Sequence, residues 1–598
     1  MDFDTFEHLH LSQFELSNIP KHFTKVLYEK LDKQIFDAGK VFTLLKVDDK
    51  GSQDADYISW VLQFHLEEGI KASDPNNIYL IDHAWTFEIK HAKKQLQALT
   101  NLRQRMSSIM GIEEIENEEV MCEQIFDEMW RYSNCYWTQE SENVDDRIPM
   151  WYILDEVGSA IHHGEKPNCR IVPFLYLGDN SIYSLMFPIE NISYGEIITR
   201  NFVENADKKD RDALLLPWVP KSFSNISYDY EEPDPNYFMS GHICESLPIL
   251  SLTQKPPTIK DKYRIFSEYS LLSKYLTDDR FIIVDNTNDA DILWHLTHFK
   301  DFEELSTTDK FINQFPFEYV LNNKDLLAII CRYNSKSQPK WLPITYNLKT
   351  ELTNFVSYFM NREREGLDNH WIVKPVNLAR GLDTHITKNI NYIIRLTQTG
   401  TKIVQKYIDK PVLFYRLDCF AKVKFDVRYV ILLKGVRPLE VYVHKYFFLR
   451  FANKPFILHN FDDYETHFTV MNYANNGQNL KQILCSDFLK DWANQYSLWP
   501  WEEVENSILH MLKEVFNCST KMCPPCGLSE SPQSRALYAA DIILEWAGEK
   551  IQPKLLEINW MPDCERACKY YPDFFNDIFK LLFCDIYNTA LFYDLKNY

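Results

Sequence analysis

The sequence predicts a mixed α/β protein built from more than one domain. The chain has 598 residues, too many for a single hydrophobic core. Hydrophobic residues make up 45% and charged residues 25%, a mixture typical of globular domains and not of a disordered chain. Residues 171–176 and 182–187 have the composition of short β-strands, whereas residues 90–110 have helical spacing.

Composition excludes several classes of protein. Glycine is scarce, with 16 residues, and neither the dinucleotide fingerprint nor the P-loop pattern occurs. No uncharged apolar run approaches ~18 residues, so we expect no transmembrane helix and no membrane partner. The first residues, Met1-Asp2-Phe3-Asp4, are acidic and are not followed by an apolar stretch, so we expect no secretory signal.

The 13 cysteines are odd in number and scattered along the chain. This pattern indicates reduced thiols in a protein of the cytoplasm, with the nucleus as the alternative location. Cys523 and Cys526, with Cys518 nearby, could form a redox pair or half of a zinc site. No second pair of ligands lies at zinc-like spacing, so reduced thiols are the favoured interpretation.

Charge is divided unevenly along the chain. Residues 1–260 hold 24 basic and 43 acidic residues, a net charge of −19. Residues 371–450 hold 15 basic and 5 acidic residues, a net charge of +10. We expect no direct binding to nucleic acid, because the whole chain carries a net charge of −21. The basic segment, in contrast, could hold a polyanion.

The same division suggests domain boundaries. Residues 1–220 are predicted to form one acidic domain with short β-strands. Residues 221–260 contain Asp229-Tyr-Glu-Glu-Pro-Asp-Pro235 and Lys255-Pro-Pro257, whose proline and acid density predicts a linker. Regular α/β patterning resumes at about residue 261 and continues to the end of the chain.

Two apolar strands in the basic part carry polar groups suited to a nucleotide. Trp371-Ile-Val-Lys374-Pro375 places a lysine, a compact positive charge suited to phosphate, at the end of a strand. Lys402-Ile-Val-Gln405-Lys406-Tyr407-Ile408 could offer backbone N–H and C=O groups to an adenine edge. For both segments the alternative is a plain core strand.

A third segment alternates strictly between charged and apolar residues. Residues two apart share a strand face, so Lys422, Lys424, Asp426 and Arg428 are predicted to line one face. The alternative is a solvated strand face. A charged ladder this dense in an aromatic-rich region favours a lined cleft.

A fourth segment, residues 536–559, is predicted to form a β-hairpin that turns near Gly548-Glu549-Lys550. A turn centred on residue 549 places Asp541 opposite Glu557, with Asn559 on the same face. Like charges paired across a sheet are destabilising without a cation, and Mg²⁺ favours one or two carboxylates plus phosphate oxygens. The alternative is two exposed acids on a loose hairpin.

These segments resemble the tubulin tyrosine ligase-like family, whose fold is ATP-grasp. The matching motifs are Ala290-Asp-Ile-Leu-Trp294, Ile312-Asn-Gln-Phe-Pro316, Lys324-Asp325-Leu326, Trp371-Ile-Val-Lys-Pro375, Gln405-Lys-Tyr-Ile408, Lys424-Phe-Asp-Val-Arg428, Arg450 and Leu556-Glu-Ile-Asn559. The resemblance implies an N-terminal lobe at residues 261–350 and an ATP-grasp core at residues 351–598.

The resemblance also implies roles for individual residues. The nucleotide-binding residues would be Lys374, Arg380, Gln405, Lys406, Tyr407, Ile408, Lys424 and Asp426. Asp541, Glu557 and Asn559 match magnesium ligands. Lys424, Arg428 and Arg450 would act in catalysis, the two arginines on the acceptor side. The implied reaction is ATP-dependent ligation of an amino acid to tubulin through an acyl phosphate, with ATP and Mg²⁺ as cofactors.

Two departures from the family pattern put catalysis in question. The glycine-rich phosphate loop of the family is here Arg380-Gly381-Leu-Asp383-Thr384, and Asp383 restricts the backbone and adds negative charge near the triphosphate. The family's His-x-Thr-Asn is here His467-Phe-Thr469-Val470, so a polar group is missing. Loss of a positioned hydrogen-bond donor can cost roughly 10²–10³ in rate.

The N-terminal half carries a second resemblance. His162-His163-Gly-Glu-Lys-Pro167-Asn168 and Gly195-Glu196-Ile-Ile-Thr-Arg-Asn-Phe202 are similar to the end of a SET methyltransferase core. His162 stands where SET proteins use an asparagine for S-adenosylmethionine, and Phe202 stands at the catalytic tyrosine. The resemblance therefore implies a degenerate SET-like domain without S-adenosylmethionine or methyltransferase activity. A SET-like half joined to a ligase-like half is similar to the domain pair of one member of the tubulin tyrosine ligase-like family.

Three functional hypotheses follow. The first is a degenerate ligase, or pseudoenzyme, that binds MgATP and tubulin and regulates modification of tubulin tails. The second is an active ATP-dependent ligase with an unusual amino acid or acceptor. The third is a scaffold whose acidic N-terminal half binds histones or other basic proteins, with neither site active.

Overall fold

A computed structural model describes residues 1–48, 58–113, 115–137, 149–240, 244–252, 257–335, 338–376, 381–469 and 483–598. The chain divides into two compact units. The first comprises Met1–Tyr228, Leu352–Glu365 and Asn389–Gly400, and the second comprises Asp229–Glu351, Gly366–Lys388 and Thr401–Tyr598. Both units contain helices and sheets, so the mixed α/β class is confirmed.

Strands and helices are numbered here in chain order. The strands of the first unit, β1 to β10, are Phe42–Asp48, Ile58–Phe64, Tyr79–Ile81, His83–Phe87, Ser133–Tyr136, Met150–Leu154, His162–His163, Cys169–Tyr176, Ser181–Pro188 and Thr199–Arg200. Its helices are α1 to α8, Phe3–Leu9, Leu11–Leu16, Thr24–Asp32, Ile89–Ala98, Thr100–Met110, Glu118–Glu128, Glu156–Ser159 and Arg211–Leu215, together with α14, Leu352–Arg364, and α15, Ile390–Leu396.

The first unit is made of small sheets. Strands β3, β9 and β8 form one antiparallel sheet and β4, β6 and β5 another, while β1 pairs with β2 and β7 pairs in parallel with β10. The predicted strands at residues 171–176 and 182–187 are confirmed as the β8–β9 hairpin. The predicted helix at residues 90–110 is present as α4 and α5, which are separated at Leu99.

Two segments distant in sequence belong to the first unit. Helix α14 is bound there because the Ser357 hydroxyl donates to the Phe223 carbonyl over 3.1 Å. Helix α15 is bound because the ring of Tyr392 stacks on that of Trp130, with 3.7 Å between the ring centroids. Both pairs join residues more than 130 positions apart, and such contacts are outside the reach of local sequence patterns.

The second unit contains the remaining elements. Its strands, β11 to β26, are Tyr263–Ser267, Phe281–Val284, Ile292–Trp294, Phe311–Ile312, Thr345–Asn347, Trp371–Pro375, His385–Thr387, Lys402–Lys406, Phe414–Arg416, Ala421–Val423, Phe425–Val436, Leu439–His444, Phe448–Phe451, Ala536–Ala547, Lys550–Trp560 and Phe592–Asp594. Its helices are α9 to α13, Pro235–Met239, Ser270–Tyr275, Phe302–Leu305, Tyr319–Asn322 and Lys324–Asn334, and α16 to α20, Tyr464–His467, Cys485–Gln495, Trp501–Lys521, Glu565–Tyr570 and Phe574–Cys584.

Three larger sheets organise the second unit. Strands β12, β11, β13 and β14 form a parallel sheet, and β15, β18, β16 and β17 form an antiparallel one. The third sheet has the order β25, β24, β21, β22 and β26, with β23 also paired to β21. One face of β21 is packed in the main core through Phe425, Val427 and Tyr429. The opposite face is packed in a second core through Val430 and Leu432, and its N-terminal part carries the polar residues Asp426 and Arg428.

Part of the predicted linker packs onto the second unit. Phe238 is buried in the main core, and the Tyr237 hydroxyl donates to Oδ2 of Asp325 over 2.7 Å. The backbone N–H of Glu231 donates to Oε1 of Glu351. Residues 229–239 are therefore held by specific contacts. In the part of the chain that the structure describes, no helix is both long enough and apolar enough to span a membrane.

Candidate functional site

A cavity of about 640 Å³ opens in the second unit beside strands β16, β18, β21, β24 and β25. Its walls contain nearly all of the residues predicted for a nucleotide site. These are Lys374, Gln405, Lys406, Tyr407, Ile408, Lys424, Asp426, Arg428, Arg450, Asp541, Glu557 and Asn559. Arg380 lies outside the described residues. Segments that are up to 185 positions apart in sequence are thus brought to one place.

Lys374 lies on β16 with its ammonium group in the cavity wall. Its Nζ donates to Oε1 of Gln405 over 2.9 Å, and the Gln405 amide donates in turn to the Thr345 hydroxyl. Burial lowers the pKa of Lys374 to about 8. Among the described residues no carboxylate forms an ion pair with it, so the charge is held by a neutral amide.

Lys424 is in the same situation. Its Nζ donates to the Tyr407 hydroxyl over 2.9 Å and lies 4.4 Å from the centre of that ring. Burial, followed by the charge of Lys374, lowers the pKa of Lys424 to about 7. Again no described carboxylate forms an ion pair with it. The hydroxyl of Tyr407 also lies 3.0 Å from Nδ1 of His467, whose pKa burial lowers to about 4.

The predicted charged ladder is present with one exception. Lys424, Asp426 and Arg428 all line the cavity, whereas the apolar residues between them are in the core. Lys422 is exposed and lies on β20, which pairs with β19 as a separate hairpin. The prediction that Lys422 shares the face is wrong, because the strand is interrupted at Lys424 between β20 and β21.

The hairpin of β24 and β25 places Asp541 opposite Glu557, as predicted. The turn and the register of the hairpin, however, differ from the prediction. Ala547 pairs with Lys550, so the turn is Gly548-Glu549 and is centred half a residue earlier than predicted. A register shift after Asp541 leaves Leu556 without a partner and restores the expected pairing.

Two arginines bind the acid at the centre of the cavity. Nε and Nη2 of Arg428 lie 2.7 and 2.8 Å from the two carboxylate oxygens of Asp541. Nη2 of Arg450 lies 2.8 Å from Asp541 Oδ2, and its Nε lies 2.7 Å from Oδ1 of Asp426. Burial opposes ionisation of Asp541, but the charges of Arg450 and Arg428 outweigh it and hold its pKa well below its usual range.

The other predicted metal ligands also have protein partners. The amide of Asn559 donates to both Asp541 and Glu557 over 3.3 Å, and Lys324 Nζ lies 3.3 Å from Glu557. Cations of the protein itself therefore offset the repulsion between Asp541 and Glu557. That repulsion alone does not require a metal ion, which corrects the argument made from the sequence.

Clusters of side chains suited to a metal ion are absent from the described residues. Nowhere in those ranges do three or more His, Cys, Asp or Glu side chains lie in positions suited to one metal ion. Cys523 is exposed and Cys526 half-buried, and both are free thiols. Two carboxylates and an amide nevertheless remain the donor types that Mg²⁺ takes together with phosphate oxygens.

Asp383 is placed differently from the expectation. Its backbone has φ of +48°, a region in which aspartate is better tolerated than most residues. Its carboxylate accepts hydrogen bonds from Lys402, which is almost fully buried, and from His385 at 2.8 Å. Its charge is thus paired inside the unit, and Asp383 is not among the residues that line the cavity. Val470, the other departure, lies outside the described residues.

Sequence reasoning missed several residues of the cavity wall. Lys324 begins α13 inside a motif that carried no assigned role, and His467 was noted only for its neighbour Val470. Arg566, on α19, donates to the Leu449 carbonyl over 3.2 Å. No local pattern marks Arg566, because it reaches the cavity only through the packing of α19 against the strands.

In the first unit, the two residues at SET-like positions contact other parts of the unit. His162 Nε2 lies 2.8 Å from the Trp60 carbonyl. The ring of Phe202 is stacked on Trp218, with centroids 4.2 Å apart and planes 4° apart, and the guanidinium of Arg200 lies 4.5 Å from the Phe202 ring. Phe202 therefore fills a stack of aromatic and cationic groups.

Comparison with known proteins identifies both parts of the chain. Residues 302–591 match the model of the tubulin-tyrosine ligase family, and residues 51–222 match that of the tubulin tyrosine ligase SET-like domain. Tubulin–tyrosine ligase-like protein 12 of Mus musculus is 41% identical over 97% of this chain and 95% of its own length. The chain belongs to the tubulin-tyrosine ligase family. Both resemblances seen in the sequence are thereby confirmed.

More distant relatives match this chain over different lengths. The protein of the same name from Caenorhabditis elegans is 33% identical over 98% of this chain and 97% of its own length. A tubulin polyglutamylase of Mus musculus is 25% identical over 56% of this chain and 26% of its own length. The family match includes α14 and α15, which pack in the first unit, so the ligase-like sequence contributes to both units.

Proposed function

We propose that the second unit binds ATP and that the protein is a degenerate ligase that regulates modification of tubulin tails. One observation carries the nucleotide part. Lys374 and Lys424 present two buried ammonium groups, without a described carboxylate in ion-pair reach, to one cavity. Glu557 and Asp426 only partly offset the cost of burying these charges, and an anionic ligand such as a triphosphate offsets it further.

The cavity as a whole suits a polyanion. Seven lysine and arginine side chains and four carboxylates line it. Ile372, Ile408 and Ile543 add apolar wall for a flat base, beside the backbone of Gln405 to Ile408. Asp541, Glu557 and Asn559 are the residues that would hold Mg²⁺, which would neutralise phosphate charge when bound. Asp541 would then have to exchange an arginine contact for the metal.

The proposal of weak or absent catalysis rests on this competition and on Asp383. Arg428 and Arg450, proposed for the acceptor side, are occupied by Asp541 and Asp426. The phosphate loop carries an aspartate that is held by Lys402 and His385 where flexible backbone is needed. Tubulin is proposed as partner because the related mouse polyglutamylase is named for tubulin and the segment 371–450 is basic.

The alternative is an active ligase with an unusual amino acid or acceptor. The observation that favours it is the retention of both lysines and of the complete set of Asp541, Glu557 and Asn559 around one cavity. Incubation with tubulin, MgATP and labelled amino acids, with Glu557→Gln as control, decides between the two. Incorporation at the rate of active relatives that is lost in Glu557→Gln would refute the pseudoenzyme.

Nucleotide binding is tested first by thermal unfolding of the full chain with and without MgATP. A ligand at 100 times its Kd adds about 2.7 kcal/mol, enough to raise the melting temperature of the second unit by several degrees. Lys374→Ala should abolish the shift. Lys422→Ala is the matched control, because Lys422 is exposed and does not line the cavity, and it should retain the shift. No shift of the wild type at millimolar MgATP would refute the proposal.

A further inference from the structure

The first unit contains a cavity of its own, with a volume of about 760 Å³ and a wide mouth. Aromatic rings and polar groups from several elements line it, among them Phe36, Tyr136, Tyr183, Asp82, His83 and Thr86. All of these residues belong to the first compact unit. None of them has a part in the ATP site proposed above.

The aromatic walls are formed by rings that the packing of the unit leaves partly open. Phe36 precedes β1, and 46% of its surface is left exposed by the described residues. Its ring centroid lies 6.3 Å from that of Tyr183 on β9. Tyr136 on β5 lies against His83 and Tyr152, with centroid distances of 6.4 and 5.4 Å. Three aromatic rings thus line the cavity, and aromatic rings attract cations that lie within ~6 Å of their faces.

The charges around this cavity are negative. Asp82 lines it, and Asp179 lies beside it, bonded to the Tyr183 hydroxyl at 2.7 Å. Of the described residues in its walls, none is a lysine or an arginine. Arg105, which is close enough to interact with Asp82, forms a bidentate ion pair with Glu156 at 2.9 and 3.1 Å. Burial lowers the pKa of His83 to about 4, so His83 is neutral near pH 7 and does not repel a cation.

Asp82 and Asp179 supply negative charge, and some of their lone pairs already accept hydrogen bonds. Oδ1 of Asp82 accepts the His83 backbone N–H at 2.8 Å. The two oxygens of Asp179 accept from the Ser181 backbone and from Tyr183. A primary ammonium group needs three hydrogen-bond acceptors, whereas a quaternary ammonium group needs none and is attracted to aromatic faces. Both the walls and the charge therefore favour the methylated cation.

We propose that this cavity binds the methylated ammonium group of a lysine side chain in a basic peptide. The volume exceeds that of a trimethylammonium group, which leaves room for the alkyl stem and the adjoining peptide. Residues 1–228 of the first unit hold 22 basic and 38 acidic residues, and this negative charge attracts flanking lysines and arginines of such a peptide. The site is independent of the ATP site and of any ligase activity.

The proposal is tested by titrating the full-length protein with four ligands. Calorimetry or fluorescence anisotropy measures the binding. The ligands are a lysine-rich peptide with one trimethyllysine, the same peptide with unmodified lysine, the same peptide with the uncharged tert-butyl isostere of trimethyllysine, and choline. We expect the trimethyllysine peptide to bind at least about tenfold more tightly than the isostere, because the isostere has the shape without the charge.

Variants of the full chain separate the cavity from general acidity. Phe36→Ala and Asp82→Asn should each weaken binding of the trimethyllysine peptide about five- to tenfold. Leu177→Ala is the matched control, since Leu177 is similarly exposed at 42% but does not line the cavity, and it should bind like the wild type. Unchanged melting temperatures show that the variants are folded.

Three results would overturn the proposal. Equal affinity for the isostere would show an apolar site without a role for charge. Equal affinity for the unmodified peptide, with no effect of Phe36→Ala, would show attraction by the acidic surface alone. Binding of choline as tight as that of the peptide would show a small-molecule site.

Discussion

Arg428 holds both carboxylate oxygens of Asp541, with Nε 2.7 Å from Oδ1 and Nη2 2.8 Å from Oδ2. Sequence motifs place these residues in different roles, one on the acceptor side and the other at a metal. In the structure they face each other across paired strands β21 and β24. A ligand of either residue must therefore compete with the other, and one ion pair links the proposed metal site to the proposed acceptor site.

The first prediction concerns the stability of this ion pair. Arg428→Met leaves the buried carboxylate of Asp541 with Arg450 and Asn559 only. Breaking a buried ion pair costs about 3–5 kcal/mol, and the remaining partners should bring the loss toward the lower end, about 3 kcal/mol. Urea denaturation followed by fluorescence measures the free energy of unfolding. Arg428→Met combined with Asp541→Asn should recover part of the loss, and a single variant as stable as the wild type would contradict this account.

Features that repeat along one strand could be predicted from the sequence. The alternation around Lys424, Asp426 and Arg428 assigns these residues to one face, because successive side chains of a strand point to opposite faces. The pairing of Asp541 with Glu557 could also be predicted, because the position of a hairpin turn sets which residues of its two strands face each other. The turn position was wrong by half a residue, and the bulge at Leu556 that compensates for it has no signal in the sequence.

Partners from distant segments could not be predicted. Arg450 binds Asp426 and Asp541, and Lys402 binds Asp383, only after two sheets have formed. The placement of α14 and α15 in the first unit depends on contacts with Phe223 and Trp130 that no local pattern encodes. The sequence therefore shows which groups are charged, whereas the structure shows which charges are already paired.

The second prediction concerns Asp383, which motif comparison alone would replace by glycine to restore the loop. Asp383→Gly removes strain at φ of +48° but leaves the buried ammonium of Lys402 without its carboxylate. The lost partner should outweigh the relieved strain, and we expect a net loss of about 1–3 kcal/mol in the free energy of unfolding.

Thermal unfolding with and without MgATP checks this directly. Asp383→Asn is the control, because it keeps the side-chain volume and removes only the charge. It should destabilise the protein as well. An increase of stability in Asp383→Gly, together with tighter ATP binding, would show that Asp383 acts mainly by obstructing the loop.

The third prediction concerns pH. The pKa values of about 8 for Lys374 and about 7 for Lys424 lie below the unfolded value of ~10.4. Below pH 7 both lysines are charged in the native and unfolded states, and the burial penalty is present in full. Between about pH 7 and 10.4 the native state releases these protons first, so their contribution to stability rises with pH and then levels off.

Lys424→Met isolates that contribution. The variant should be more stable than the wild type at pH 6, and the difference should shrink as the pH rises to 9.5. The ATP affinity of the wild type should fall as the pH rises over this range, because only the ammonium form of Lys424 attracts phosphate. Melting temperatures of both proteins, with and without MgATP across this range, provide the measurement. A difference that is independent of pH would show that Lys424 has an ordinary pKa.

The last prediction concerns the SET-like unit. Phe202→Tyr restores the hydroxyl of the SET pattern, and His162→Asn restores the asparagine. We expect neither variant, nor the pair, to gain a thermal shift with S-adenosylmethionine, because the Phe202 ring is stacked on Trp218 and contacts the Arg200 guanidinium. Phe202→Ala should cost about 3 kcal/mol through the loss of that stack. A shift with S-adenosylmethionine in the double variant would show a cofactor pocket that still exists and lacks only two side chains. Large destabilisation by Phe202→Ala without any shift would show that the former catalytic position now serves to hold the unit together.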